Sequence, residues 1–177
     1  MTVIIGLKSN NKIYIGADSA ITANNLQSEL IEPKVFRVGN ILLAQSGLHR
    51  AGQLIQYNMK KLPPDKSNNP TKYLVTQLVP AIRHALNLKD EEENLTEFGM
   101  VIGYKKRLFQ VDGALCIYEV NREFVVDGSG GDIAIGVMEA TSSDIMQSTP
   151  IERVKLAIAI ACKYNIYCDL PIIIKSI

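Results

Sequence analysis

The chain opens with two short apolar runs that are separated by a turn. Residues 2–19 read Thr-Val-Ile-Ile-Gly-Leu-Lys-Ser-Asn-Asn-Lys-Ile-Tyr-Ile-Gly-Ala-Asp-Ser. Asn10 and Asn11 are typical turn residues, and the runs on either side are rich in β-branched side chains. The pattern predicts a β-hairpin that begins at the N-terminus and returns Asp18 to the neighbourhood of Thr2.

The remainder of the chain predicts strands in runs and helices in pairs. We expect a second hairpin over 34–44, helices over 48–62 and 70–88, four strands over 98–127, helices over 133–140 and 151–164, and a last strand over 171–175. Pro80 should kink or break the second helix. The polar stretch 22–28 is assigned no strand, and 89–94 is predicted to be a solvated loop. This order suits two layers of sheet covered by two layers of helix, an α+β fold.

Length and composition restrict the class of protein. A chain of 177 residues with 47% apolar residues suits one domain over 1–177. With 19 basic and 18 acidic residues it has no broad basic field, so nucleic acid is a poor candidate partner. The three cysteines favour a reducing compartment over a disulfide framework. No signal peptide or membrane span is predicted, and we expect a cytoplasmic protein.

Thr2 offers a nucleophile and a base in one residue. If Met1 is removed, Thr2 carries a hydroxyl together with a free α-amine, whose reference pKa is about 7.7–8.0. Such an amine accepts a hydroxyl proton at neutral pH, which is the logic of N-terminal nucleophile catalysis. A threonine after the initiator methionine has no catalytic meaning in most proteins, so the interpretation depends on the residues around it.

Four further residues have suitable chemistry at suitable places in the predicted fold. Lys34 beside the Thr2 hydroxyl would favour the alkoxide and lower the pKa of the amine, and Asp18 would hold that lysine charged. Gly47, between a strand and a helix, offers a backbone N–H to an oxyanion. Ser129, in a glycine-rich turn, offers a hydroxyl to a proton relay. Taken singly, Asp18 also suits a turn residue and Lys34 a surface charge.

These elements together resemble the proteasome β-subunit family of N-terminal nucleophile hydrolases. The stretches TVIIGLK at 2–8, IYIGADS at 13–19, PKVFRV at 33–38, ILLAQSG at 41–47 and DGSGGDIAIG at 127–136 stand in the family's order and spacing. Chain length and the C-terminal pattern, IAIAC at 158–162 and NIYC at 165–168, look closest to the bacterial HslV-type threonine peptidases. The resemblance implies a four-layer αββα sandwich.

The resemblance also implies functional roles. Thr2 is then the nucleophile, Asp18 and Lys34 its charged partners, Gly47 the oxyanion donor and Ser129 the assisting hydroxyl. The chemistry requires no cofactor. In HslV-type chains a C-terminal loop holds a structural monovalent or divalent cation through backbone carbonyls. The matching carbonyls here belong to Cys162, Asn165 and Cys168, and Asn165 stands where many relatives have an aspartate.

Specificity and assembly follow less directly from the residues. By position, Ile21, Phe36, Gln45 and His49 are the candidates to line the pocket for the substrate side chain. The family usually continues with small residues after Gly47, whereas this chain has Leu-His-Arg-Ala at 48–51. By resemblance we expect polypeptide substrates, a homo-oligomeric double ring and an AAA+ ATPase unfoldase as partner, and neither nucleic acid nor membrane.

Two alternative functions remain open from the sequence alone. The same fold and nucleophile would serve a small-molecule amidase. The second alternative is a non-catalytic subunit that acts only in ring assembly. The joint presence of Thr2, Asp18 and Lys34 argues against this alternative.

Overall fold

The computed structural model describes residues 2–23, 26–88, 95, 97–142 and 147–177. In chain order the strands are β1 (Ile4–Ser9), β2 (Lys12–Ala17), β3 (Ala20–Ala23), β4 (Leu26–Glu29), β5 (Val35–Val38), β6 (Ile41–Gly47), β7 (Phe98–Tyr104), β8 (Arg107–Val111), β9 (Ile117–Glu119), β10 (Phe124–Asp127) and β11 (Ile173–Ser176). The helices are α1 (His49–Asn58), α2 (Pro70–Tyr73), a π-helical turn (Leu74–Leu78), α3 (Val79–Leu86), α4 (Gly131–Ala140) and α5 (Pro150–Tyr164).

The strands form two main antiparallel sheets. One sheet has the order β10-β1-β2-β11, and the other has the order β5-β6-β7-β8-β9. Between them lies an apolar cluster that includes Ile4, Ile15, Leu42 and Val101. The sheets therefore pack face to face, as the two inner layers of a sandwich.

Helices cover the outer face of each sheet. Val3, Ile5 and Leu7 pack against α4 and α5. On the other side, Leu43 and Ile102 belong to the cluster that contains α1 and the helical segment from 70 to 86. Because both sheets are buried on both faces, their central strands are apolar almost without interruption, which explains the opening run of the chain. The expected four-layer αββα sandwich is confirmed.

The predicted hairpin at the N-terminus has the register that its turn requires. Ser9 pairs with Lys12 and Ile4 pairs with Ala17, and both turn asparagines adopt positive φ values. That register brings the residues just before β1 and just after β2 to the same end of the sheet. Asp18 directly follows β2, and Thr2 lies two residues before β1.

The helical predictions differ most from the structure at the end of the first helix. Helix α1 ends at Asn58 and not at Leu62. A residue that precedes proline is disfavoured in helical conformation, so Pro63 restricts Leu62. The chain stays extended there while Met59 and Leu62 still pack against the core.

Pro80 disrupts its helix as predicted. The disruption takes the form of the π-helical turn Leu74–Leu78 that immediately precedes α3. A widened turn accommodates the proline ring and the backbone hydrogen bond that proline cannot donate.

The β3–β4 hairpin was not predicted from the sequence. All four residues of β4 are exposed, so the hairpin lacks the apolar alternation by which a strand is recognised.

The predicted loop over 89–94 lies outside the described residues. Among the helices that the structure describes, none is long and apolar enough to cross a membrane.

Candidate active site

Thr2 lies at the junction of the two sheets, and its hydroxyl has two charged partners. The side chain is buried, with 2% relative exposure. Its Oγ1 donates a short hydrogen bond to Oδ1 of Asp18 and accepts one from Nζ of Lys34 at 2.7 Å. Asp18 and Lys34, both selected from the sequence, are thus in direct contact with the Thr2 hydroxyl.

Asp18 is fully buried and held from several directions. Its Oδ1 also accepts from the backbone N–H of Val3 at 2.9 Å. Its Oδ2 accepts from the N–H groups of Ala20 at 3.0 Å and Asp169 at 3.4 Å. A carboxylate with this many donors is fixed in place.

Lys34 completes the constellation as a buried cation. Its Nζ lies 2.9 Å from Oδ1 of Asp18, and its side chain is 7% exposed. Burial lowers the pKa of Lys34 from its ordinary value, while the ion pair with Asp18 opposes that shift. The ammonium therefore depends on Asp18 for its charge, and it directs that charge at the Thr2 oxygen.

The glycine-rich turn at 128–131 encloses the backbone of Thr2 and not its hydroxyl. The N–H of Gly130 donates to the Thr2 carbonyl at 3.2 Å, and the exposed Ser129 hydroxyl donates to the same oxygen at 3.3 Å. A Cβ on Gly128 would lie 2.3 Å from that carbonyl. The turn therefore fixes the N-terminal residue by close backbone contact, with Ser129 beside it.

Gly47 ends β6 at a position that only glycine tolerates. Its φ is +84°, and a Cβ there would lie 1.5 Å from the carbonyl oxygen of Glu97. The next residue, Leu48, donates its N–H to that same carbonyl at 3.0 Å. Any side chain at this position would displace the Glu97 carbonyl, so the end of β6 requires glycine.

Two cavities open on either side of Thr2. The first, called here the Lys34 cavity, measures about 300 Å³ and lies between the β3–β4 hairpin and α1. It is lined by Thr2, Ala20, Ile21, Thr22, Leu30, Lys34, Gln45, Gly47, Leu48, His49, Arg50 and Glu97. The second, called here the Asp127 cavity, measures about 370 Å³ and lies at the ends of β6, β7 and β10. It is lined by Thr2, Ser46, Gly47, Glu97, Phe98, Gly99, Asp127, Gly128 and Ser129.

Three of the four predicted pocket residues line the Lys34 cavity, namely Ile21, Gln45 and His49. Phe36 does not line it but lines a smaller adjoining cavity, together with Lys34, Gln45 and His49. It pairs with Leu43 across β5 and β6, and both side chains face the core under α1. Arg50 is exposed and also lines this cavity.

His49 adds an ionisable group that is neutral at pH 7. Burial lowers its pKa from the ordinary value of 6.5. Glu32 opposes this shift, and Lys34 adds to it. The imidazole therefore becomes charged only in acid solution.

Comparison with known proteins identifies the family. A model of the proteasome subunit family matches residues 2–169. The chain belongs to the proteasome subunit family. A proteasome subunit beta from Nanoarchaeum equitans (strain Kin4-M) is 28% identical over 153 residues, which cover 79% of this chain and 74% of the relative.

Solved structures of other proteins share the fold. BPH from Thiobacillus denitrificans, in complex with epoxomicin, has a TM-score of 0.84 at 16% identity and covers 99% of this chain and 97% of its own. Eukaryotic HslV from Trypanosoma brucei has a TM-score of 0.72 at 14% identity and covers 98% of each chain. At these identities the likeness supports the fold and not the chemistry.

The C-terminal loop that is expected to hold a cation contacts the glycine-rich turn beside Thr2. Among the described residues, no group of His, Cys, Asp or Glu side chains could hold a metal ion. Asn165 donates from its amide to the carbonyl of Ser129 at 2.7 Å, and its own carbonyl accepts from Cys168 at 3.2 Å. Burial raises the pKa of Cys162 to about 12 and that of Cys168 to about 11. Neutral thiols are poor metal ligands, so a cation here would depend on the backbone carbonyls of Cys162, Asn165 and Cys168, and it stays a prediction.

Several residues of the site were not found from the sequence. Ser46 donates to Oδ2 of Asp127 at 2.9 Å across the end of the sheet, and Glu97 contributes to both cavities. Asp169 holds Asp18 through its backbone N–H, a role that no side-chain pattern reveals. The glycine-rich turn that follows Asp127 is the sequence signal that could have pointed to this region.

Proposed function

We propose that the chain is a threonine-type endopeptidase subunit in which Thr2, freed by removal of Met1, is the nucleophile. One observation carries the proposal. The Thr2 hydroxyl lies between the Lys34 ammonium and the Asp18 carboxylate, buried, and opens onto cavities on both sides. A hydroxyl in a purely structural position has no need of a buried ion pair aimed at it.

The chemical steps use groups that all lie at this junction. The Thr2 Oγ1 attacks the carbonyl carbon of the peptide bond, and its proton passes to the α-amine of Thr2. The carbonyl oxygen becomes an oxyanion near the Gly47 N–H. The C–N bond then breaks and the leaving nitrogen takes the proton, with Ser129 assisting. Water attacks the resulting ester and regenerates the Thr2 hydroxyl, so no cofactor is needed.

Lys34 acts in this scheme as an electrostatic donor. Its ammonium is 2.7 Å from Oγ1, close enough to stabilise the alkoxide that attacks. Because the side chain is almost fully buried, its charge is poorly screened by water. Asp18 keeps the lysine charged and in position.

The Lys34 cavity is proposed to hold the substrate side chain that precedes the cleaved bond. Ile21, Leu30 and Leu48 supply apolar wall, while Lys34 and Arg50 supply positive charge against the carboxylate of Glu97. Asp18 lies directly behind Lys34 and offsets part of that charge. The cavity is suited to apolar or acidic side chains and disfavours lysine and arginine.

We further infer that the subunit works in a closed double ring in the cytoplasm, fed with polypeptides by an AAA+ unfoldase. Family membership supports ring assembly. Exposed apolar residues on the outer helices, Tyr57, Val75, Ile135, Ile151 and Leu156, supply surface for subunit contacts. Light scattering should give a particle far above 19.5 kDa, whereas a monomer that hydrolyses only small amides would favour the amidase.

Substitution of the nucleophile tests the proposal. Thr2→Ala should abolish cleavage of a fluorogenic peptide while the far-UV circular dichroism and particle size stay those of the wild type. Thr2→Ser should retain measurable activity, because the hydroxyl and amine both survive. Epoxomicin, the compound in the Thiobacillus denitrificans complex, should inhibit the active protein. Unchanged cleavage by Thr2→Ala contradicts the assignment, and a wild-type protein without activity favours the assembly subunit.

A further inference from the structure

We propose that the Asp127 cavity binds the part of the substrate that follows the cleaved bond, and that Asp127 selects a lysine or arginine there. The inference rests on the proposed peptidase function. It assigns to this chain a second substrate subsite with a charge requirement opposite to that of the Lys34 cavity.

The position of the cavity indicates which half of the substrate it holds. It shares Thr2 and Gly47 with the Lys34 cavity, so a substrate whose carbonyl lies at Thr2 extends into both. Ser129 lines only the Asp127 cavity of the two. Because a proton must reach the leaving nitrogen, the side with the assisting hydroxyl faces the leaving half of the peptide.

The Asp127 carboxylate is held rigidly at the rim of this cavity. Its Oδ1 accepts from the N–H of Gly128 at 2.8 Å, and its Oδ2 accepts from Ser46 Oγ at 2.9 Å. A Cβ on Gly99 would lie 2.2 Å from Oδ2, so the carboxylate rests directly over the backbone of β7. Both donors are neutral, so neither hydrogen bond cancels the charge.

The charges that line the cavity are of one sign. Asp127 and Glu97 are both acidic, and no lysine, arginine or histidine lines the cavity among the described residues. Asp127 is half-buried, where a carboxylate is less screened than on an open surface. An ammonium or guanidinium at the end of an extended side chain would meet a fixed carboxylate with lone pairs to spare.

The shape of the cavity agrees with such a side chain. Its volume of about 370 Å³ is large enough for one long residue. Phe98 offers apolar surface to the methylene stem, and the serines offer hydroxyl groups to the cationic head. A small residue would leave the Asp127 carboxylate without a partner. An acidic residue would be repelled by that carboxylate.

Two matched peptides test the inference. They differ only at the residue after the cut, which is lysine in one and norleucine in the other, and mass spectrometry confirms the cleavage site. We expect kcat/KM to favour the lysine peptide by about five- to tenfold at low salt, the range of a partly screened ion pair. The ratio should fall towards one in Asp127→Asn, and any general loss of activity cancels in that ratio.

The matched control is Asp132→Asn, the same change at an exposed position in the first turn of α4 that lines neither cavity. It should keep the preference for lysine. Equal rates for the two peptides in the wild type, or a preference that survives in Asp127→Asn, would overturn the inference.

A binding measurement separates this inference from the proposed catalysis. Fluorescence anisotropy with Thr2→Ala protein should show tighter binding of the lysine peptide than of the norleucine peptide. That difference should disappear when Asp127→Asn is added. If the lysine peptide binds more tightly but the wild type cleaves neither peptide, the proposed peptidase function is wrong and the subsite is still supported. Equal affinities of the two peptides for the Thr2→Ala protein would rule out the subsite, even if peptides are cleaved. This comparison does not need Asp127→Asn, so it decides the matter even if that variant fails to fold.

Discussion

The two cavities beside Thr2 share a wall and differ in charge. The Lys34 cavity has two cations, Lys34 and Arg50, against one carboxylate, whereas the Asp127 cavity has two carboxylates and no cation among the described residues. The first is built by the β3–β4 hairpin and α1, and the second by the ends of β6, β7 and β10. The proposed nucleophile, Thr2, therefore borders two cavities of different charge, and each cavity is formed by a different part of the chain.

This difference separates what is required for cleavage from what determines the choice of substrate. Thr2, Asp18 and Lys34 are buried and connected to one another, so a change in any of them should affect every substrate. Arg50 and Asp127 lie at the edges of separate cavities, so a change in either should affect one side of the cleaved bond. The predictions below test that separation.

The largest effect is expected at Lys34. Lys34→Ala should reduce kcat by about 10²–10³, the scale of losing an electrostatic donor to the oxygen that carries charge. The loss should be the same for peptides that differ on either side of the cut. Lys34→Arg should not restore activity, because the guanidinium does not fit the place of a compact ammonium. Steady-state kinetics measures this, with exposed Lys155→Ala as control, and a near-normal rate in Lys34→Ala would refute the role.

Gly47 should be sensitive because it belongs to both cavities. Gly47→Ala introduces a Cβ 1.5 Å from the Glu97 carbonyl at φ +84°, so the shared wall must move. Gly39→Ala is the matched control, since Gly39 has φ +59° with nothing within 4 Å. We expect a cost of about 1 kcal/mol in the free energy of unfolding for Gly39→Ala and a clearly larger one for Gly47→Ala. Denaturant titration compares them, and equal costs would show that the contact with Glu97 is easily relieved.

Arg50 should affect the Lys34 cavity alone. Arg50→Gln should lower the cleavage of peptides with glutamate before the cut by about fivefold relative to leucine, the worth of an exposed ion pair. The lysine preference after the cut should not change. The exposed Arg122→Gln is the control. If Arg50→Gln changes the preference after the cut as well as the preference before it, the two cavities are not independent.

The smallest effect is expected from pH. Burial holds the pKa of His49 below its ordinary 6.5, so the imidazole gains its charge only below that value. The preference for glutamate before the cut should then rise about twofold as the pH falls below 6.5, as expected for one added surface charge. His49→Gln should give a flat profile. A rise that survives in His49→Gln would have to come from another group.

How far the sequence predicts the structure depends on how local each feature is. The hairpin turn at Asn10 and Asn11 fixes a register, and that register places Asp18 beside Thr2, so this pair could be predicted. Phe36 packs in the core and lines a smaller cavity beside the Lys34 cavity, and a strand pattern alone does not show which of two adjoining cavities a residue reaches. The β3–β4 hairpin was missed because an exposed strand carries no apolar pattern.

The Asp127 cavity could not be predicted from local patterns. Ser46 and Asp127 are 81 residues apart and meet only because β6 and β10 end at the same place in different sheets. The same holds for Asp169, whose backbone N–H reaches Asp18 from the far end of the chain. Such contacts follow from the packing of the sheets and not from the spacing of residues.

The central claim, that Thr2 acts with its own free amine, is tested most directly by the mass of the N-terminal peptide. Protein from the fraction that cleaves peptides is digested, and the N-terminal fragment is weighed by mass spectrometry. We predict a fragment that begins at Thr2, lighter than the encoded one by one methionine residue, in an amount that follows the specific activity from one preparation to another. Full activity in protein that retains Met1 would contradict the account, because the amine of Thr2 would then be part of a peptide bond and could not accept the proton.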